Sequence, residues 1–129
     1  MTENTLCFPS YFPEGCPPED AELRELKVYR FCVDNEISKD DFRSYYEINP
    51  IKYSGNPLAY GLSVYTDEDD CKQAFKTPGI KKKFKNYAQG QTYQDLGKIK
   101  HTPGRSGQSH HTWWIYEGKE PYKFFKICS

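Results

Sequence analysis

Apolar positions along this chain fall into short runs separated by turn-forming residues, and most runs carry the signature of strands. KVYRFCV at 27–33 is β-branched and aromatic on both faces, which predicts a strand buried on both sides near the centre of a sheet. AYGLSVY at 59–65 reads the same way, and Gly61 within it marks a bulge or a close backbone approach. Four more strands are predicted at 86–93, 96–102, 110–117 and 122–128, with turns at Gln94 and Asp95, at 103–108 and at 118–121. Strands that follow one another through short connections predict a C-terminal antiparallel meander.

Helical signals are shorter. Pro17, Pro18, Glu19 and Asp20 open a helix through ELREL, ending before Lys27, with prolines and acids suited to a helix start. Ser38 with Asp41 resembles a capping box and leads into DFRSYYEI as a second short helix. Residues 49–57, with two prolines, a glycine and two asparagines, read as a loop. Thr66, with Asp69 three residues on, caps a third helix reaching Ala74 or Phe75. Residues 1–18 hold Pro9, Pro13, Pro17 and Pro18 with Phe8, Tyr11 and Phe12 between them, predicting an extended arm packed on the domain. The expected fold is therefore α+β. It has one domain over 1–129, an antiparallel twisted sheet of five or six strands, two or three short helices and the Pro-rich N-terminal arm. Leu26, Val28, Phe31, Leu62, Val64, Phe75, Leu96, Ile99, Trp113, Ile115, Phe125 and Ile127 are the expected core.

Composition narrows the function classes. A length of 129 residues supports one core, and an aromatic content of 16% with eleven Tyr and eight Phe favours β structure. Lys and Arg balance Asp and Glu at 18 each, so no global field steers the chain to nucleic acid or an anionic membrane. Five cysteines lie scattered, with no CxxC and none near a histidine, which argues against a structural metal and against a disulfide scaffold. The N-terminus lacks a signal-peptide pattern, and no apolar run approaches the ~20 residues that span a bilayer. A reducing cytoplasm is the expected setting, without a membrane. The basic run IKKKFK at 80–85 is either a solvated face or a phosphate contact.

Candidate chemistry concentrates in KIKHTPGRSGQSHHTWWIYEG at 98–118, which holds all three histidines, both tryptophans and Arg105 among small residues. In an extended strand His110, Thr112, Trp114 and Tyr116 share one face, and His111, Trp113 and Ile115 the other. The Trp113 and Ile115 side suits a core, so the first face is expected to line a cleft, with His110 as the site histidine. Closure of the hairpin offers an alternative in which His101 faces His111. Metal binding needs more convergent ligands than these, and a Ser–His nucleophile needs a turn that GLSVY at 61–65 lacks. General acid–base chemistry needs only a histidine of near-neutral pKa and a cationic clamp. His110, His111 and Arg105 are the catalytic candidates; Arg30, Ser63, Lys100, His101, Trp114 and Tyr116 are the binding candidates. Arg30, inside a buried strand, either reaches solvent or an internal partner or else holds a ligand. The small residues of GRSGQS around Arg105 offer backbone amides for an anion, or form a solvated hairpin tip.

AYGLSVYTDEDDC with SHHTWWIYEG, across residues 28–117, resembles a pattern in small bacterial proteins to which no activity is attached, and implies only a bacterial source. The order Arg30, Ser63 and then Glu117 or Glu120 resembles ADP-ribosyltransferase-like folds, which implies NAD as cofactor. The Glu or Gln that those folds carry two residues before the glutamate is missing here. Otherwise no cofactor is expected. Two functions fit these residues. One is an enzyme acting on a phosphate-bearing substrate, a nucleotide or RNA, with a histidine as acid or base, Arg105 and Lys100 as clamp, and Trp114 and Tyr116 as a stacking surface. The other is a non-catalytic module that binds a nucleotide or protein partner through the same surface.

Overall fold

The computed structural model describes residues 6–105 and 107–128. The β-branched and aromatic runs form six strands: β1 (Lys27–Cys32), β2 (Leu62–Tyr65), β3 (Asn86–Gln91), β4 (Gly97–His101), β5 (His110–Ile115) and β6 (Phe125–Ile127). They make one open sheet in the order β4-β5-β2-β1-β3-β6, and every neighbouring pair is antiparallel. The fold is α+β, as the sequence predicts, but the meander is not formed. Only β4 and β5 are a consecutive hairpin; β3 pairs with β6 and, instead of β4, with β1 along the whole register from Lys27 opposite Gln91 to Cys32 opposite Asn86. The reason lies in β1 itself. Val28 and Tyr29 point to opposite faces and are both buried, so β1 sits centrally, with β2 on one side and β3 on the other.

Directly opposite residues on antiparallel strands share a face, which sorts the core into two layers. Val28, Leu62, Val64, Ile99 and Trp113 pack with Leu96 on one side, joined by Leu26, Phe42, Ile115 and Phe125. The other side is covered too. Tyr29 and Tyr65 pack against Cys71, and Trp114 packs with Ala21, Tyr60, Phe8 and Phe12. At ~25 cal/mol per Å² of apolar surface removed from water, both layers contribute to stability.

The helices differ from expectation where backbone groups find better partners. No helix forms at 19–26. Glu22 N donates to Ile99 O and Ile99 N to Glu22 O, both at 2.8 Å, bridging this segment to β4. Thr92 then ties it to the sheet: its hydroxyl accepts from Leu26 N and donates to Arg24 O, and its amide donates to Leu26 O. The stretch 41–48 divides into a 3-10 turn and α1 (Tyr45–Ile48), where Ser44 and Glu47 make the reciprocal bonds of a capping box. The predicted loop at 49–57 contains α2 (Pro50–Tyr53), started by Pro50 at the first position with Asn49 as cap. Residues 57–60 form a 3-10 turn, so β2 begins at Leu62 rather than residue 59. The expected helix after Thr66 is α3 (Glu68–Phe75), with Asp67 accepting from Asp69 N. The basic run sits on α4 (Pro78–Lys83), whose three lysines are exposed. A 3-10 turn over 121–124 delays β6 to Phe125. The described part of the Pro-rich segment is turned rather than extended, through Phe12 N to Pro9 O and Cys16 N to Pro13 O, both 3.1 Å.

Candidate functional site

The β4–β5 hairpin brings the three histidines to one end of β5. His101 stands opposite His111, and their rings lie 4.8 Å apart with 35° between planes. This is the cross-hairpin pair that the alternation left open. Each imidazole is anchored at one nitrogen. His101 Nε2 donates to Gln108 O at 2.6 Å, His111 Nδ1 to Ser109 O at 2.7 Å, and His110 Nδ1 to Thr102 O at 2.9 Å. A carbonyl carries no proton, so the ring nitrogen facing it must. Burial holds His110 and His111 below the usual imidazole range, against the raising effect of those carbonyls. Both are therefore neutral at pH 7, the form a general base requires.

The groups expected to clamp phosphate do not converge on this pair. Arg30 donates from Nε to Asp41 O at 2.9 Å and from Nη1 to Ser63 O at 2.7 Å, and its guanidinium lies 5.5 Å from the Phe42 ring centre. The anticipated internal partner is thus a pair of backbone carbonyls, and Ser63 meets Arg30 through its main chain. Lys100 is paired with Asp20 at 3.0 Å. Arg105 is exposed at the hairpin tip and makes no hydrogen bond or ion pair with a described residue. Three amides of its loop already have partners within the chain. Gly104 and Gly107 bond each other, and Ser109 N donates to Asp70 Oδ2 at 2.8 Å. The Asp70 carboxylate thus takes one amide of this loop. Asp70 belongs to DEDD at 67–70, whose acids the sequence explains by the helix start alone.

Trp114 is not the stacking surface expected. Expected on a cleft wall facing solvent, Trp114 is 0% exposed and donates from Nε1 to Pro57 O at 2.9 Å. Gly61 makes room for it, since a Cβ there would sit 2.5 Å from the Thr112 methyl and 3.2 Å from the Trp114 ring. Tyr116 packs on Phe8 with ring centres 4.5 Å apart. The face alternates because Thr112 is polar, yet its hydroxyl is satisfied by Thr102 at 2.8 Å and stays inside.

Comparison with known proteins finds no matching family model, no similar curated protein and no similar solved structure.

A different concavity opens at the other end of β5. Tyr11, Phe12, Phe42, Tyr60, Tyr116 and Tyr122 line a cleft of about 370 Å³ between the N-terminal segment, residues 39–47 and the turn after β5. Its rim mixes Lys39, Arg43 and Lys119 with Asp40, Glu47, Glu117 and Glu120. Glu120 already holds Lys123 at 2.8 Å. Of these residues the sequence pointed to Tyr116, and to Glu117 and Glu120 through a resemblance. The available signal for the rest was the set of aromatics between the prolines of the N-terminal segment. Among the described residues no group of three or more His, Cys, Asp or Glu is placed to hold a metal ion. Burial pushes the Cys32 and Cys71 thiols up to about 12, which suppresses the nucleophilic thiolate.

Proposed function

We propose that this protein is a non-catalytic binding domain and that the aromatic cleft at the Tyr116 end of β5 is its recognition site. The observation that carries this reading is the cleft itself, concave, walled by six aromatic rings and rimmed by charge. Five free thiols suit action in a reducing, cytoplasmic setting. Amide chemical-shift mapping of the whole chain against small aromatic, cationic and anionic probes tests the reading. Shifts gathered around Tyr60, Tyr116 and Glu117 support it. A response confined to 101–111 on adding nucleotide or RNA would sink it.

A second reading is favoured by the His101–His111 pair, whose rings are 4.8 Å apart, each anchored to a backbone carbonyl through one nitrogen. In it the protein acts on a nucleotide or RNA, with a histidine as acid or base and Arg105 swinging onto the phosphate. NAD enters only with the ADP-ribosyltransferase-like order of Arg30, Ser63 and Glu117 or Glu120. Turnover that is lost in His111→Gln while the melting temperature holds is its expected signature.

A further inference from the structure

The cleft is chemically uneven, and its Tyr11 end narrows what it takes. Tyr11, Tyr46 and Tyr60 form a three-ring cluster: ring centres are 5.2 Å apart from Tyr11 to Tyr46, 4.2 Å from Tyr46 to Tyr60 and 6.3 Å from Tyr11 to Tyr60. Tyr11 is the exposed member of this cluster, at 44%, so part of its ring surface stays open. Phe12 stands at 66° to Tyr11 with centres 5.7 Å apart, making the two rings walls of a corner instead of parallel plates. Aromatic faces carry negative electrostatic potential and attract cations.

Two carboxylates share this corner's surroundings. Glu47 and Glu117 line the same cleft, and among the described residues neither is in an ion pair. Glu47 gives one oxygen to Ser44 N, while the Glu117 carboxylate bonds no described residue. Burial first, then the fields of Glu47, Tyr46 and Glu117, push the Tyr11 hydroxyl up to about 12, so it stays neutral. Of the rim's cations, Arg43 donates to the backbone carbonyl of Glu47 at 3.0 Å, the field of Lys39 falls on Glu120, at the Tyr122 side, and Lys119 stands on the rim with Glu120.

We propose that the Tyr11 end of the cleft binds an organic ammonium group, quaternary or methylated, seated against Tyr11 and Phe12 with Glu47 and Glu117 as counter-charges. The inference rests on the cleft being the recognition site. A methylated ammonium is weakly hydrated, so it leaves water at low cost and offers apolar methyls to the rings. A metal ion demands a cage of oxygen ligands that this corner lacks, and a phosphate meets two unpaired acids of its own sign. The ammonium belongs either to a small metabolite or to a methylated lysine side chain on a protein.

Calorimetry and amide-shift mapping on the whole chain test it, with choline, a trimethyl-lysine peptide and 3,3-dimethylbutanol, the uncharged carbon analogue of choline. Expected is binding of the cations with shifts at Tyr11, Phe12 and Glu117, weakened by added salt, and binding of the neutral analogue at least about tenfold weaker. Glu117→Gln and Tyr11→Leu should each weaken the cation by about two- to fivefold. Glu117 is exposed, so its variant carries the test if Tyr11→Leu unfolds. Choline and peptide binding alike assigns a small ligand; binding of the peptide alone assigns a side chain. Equal binding of the neutral analogue, or an unchanged Glu117→Gln, overturns the ammonium while leaving the cleft as the recognition site. If neither these nor aromatic probes perturb the cleft, both ideas fall.

Discussion

The two ends of β5 hold similar residue types and treat them in opposite ways. At the His110 end, one nitrogen of each imidazole, the Thr102 and Thr112 hydroxyls and the Ser109 amide are tied to carbonyls, to each other and to Asp70, with Arg105 exposed beside them. At the Tyr116 end, a ring face and the Glu117 carboxylate are left over. A concentration of titratable groups does not by itself leave groups open to a ligand. What decides is the bonding capacity that folding has not already consumed.

That contrast can be strained most by removing the ring between the two ends. Trp114→Ala should cost about 3–5 kcal/mol in denaturant unfolding, because it empties the layer under the N-terminal segment. Trp113 offers the counterpart. Its indole N–H is buried with no partner in the described residues, so Trp113→Phe should lie within about 1.5 kcal/mol of wild type. Arg30→Met comes next, at about 2–3 kcal/mol, since it strands the carbonyls of Asp41 and Ser63. Asp70→Ala should cost about 1–2 kcal/mol and raise hydrogen exchange at the Ser109 amide. If the hairpin tip then gains affinity for inorganic phosphate, the carboxylate was indeed filling an anion site. The smallest effect is one of pH. His110 and His111 are held below their ordinary value of 6.5 in the fold, so the unfolded chain protonates first. Stability should be full above pH 6.5, decline as the pH falls toward the folded pKa values, and level off below them. Paired His110→Gln and His111→Gln substitutions should flatten that slope; an unchanged slope would assign it to other groups.

Strand positions were legible because β-branched and aromatic runs have few other uses, and the α+β class follows from them. Strand order was not. It depends on β1 needing partners on both sides, a demand that pulls β3 across the sheet and that no short-range turn signal contains. The helix expected at 19–26 has suitable residues, but Glu22 finds both its backbone partners on Ile99, far along the chain. At the hairpin, alternation located the histidines and allowed the facing of His101 and His111. It misjudged Trp114 because polar residues on that face looked solvated, whereas Thr102 and Pro57 satisfy them indoors. The cleft draws Tyr11, Glu47 and Glu117 from three separate segments, so no spacing rule joins them.

The bridge between Glu22 and Ile99 reaches beyond local architecture. β4 is an outer strand of the sheet, and its central residue would otherwise present a free N–H and C=O to any passing chain. With both taken at 2.8 Å, a foreign strand has nothing to zip onto there. The opposite border, β6, is three residues long with an exposed lysine at its middle. Short length and charge discourage pairing on that side. The fold thus guards both borders of its sheet against self-templated stacking, one by a covering segment and one by brevity.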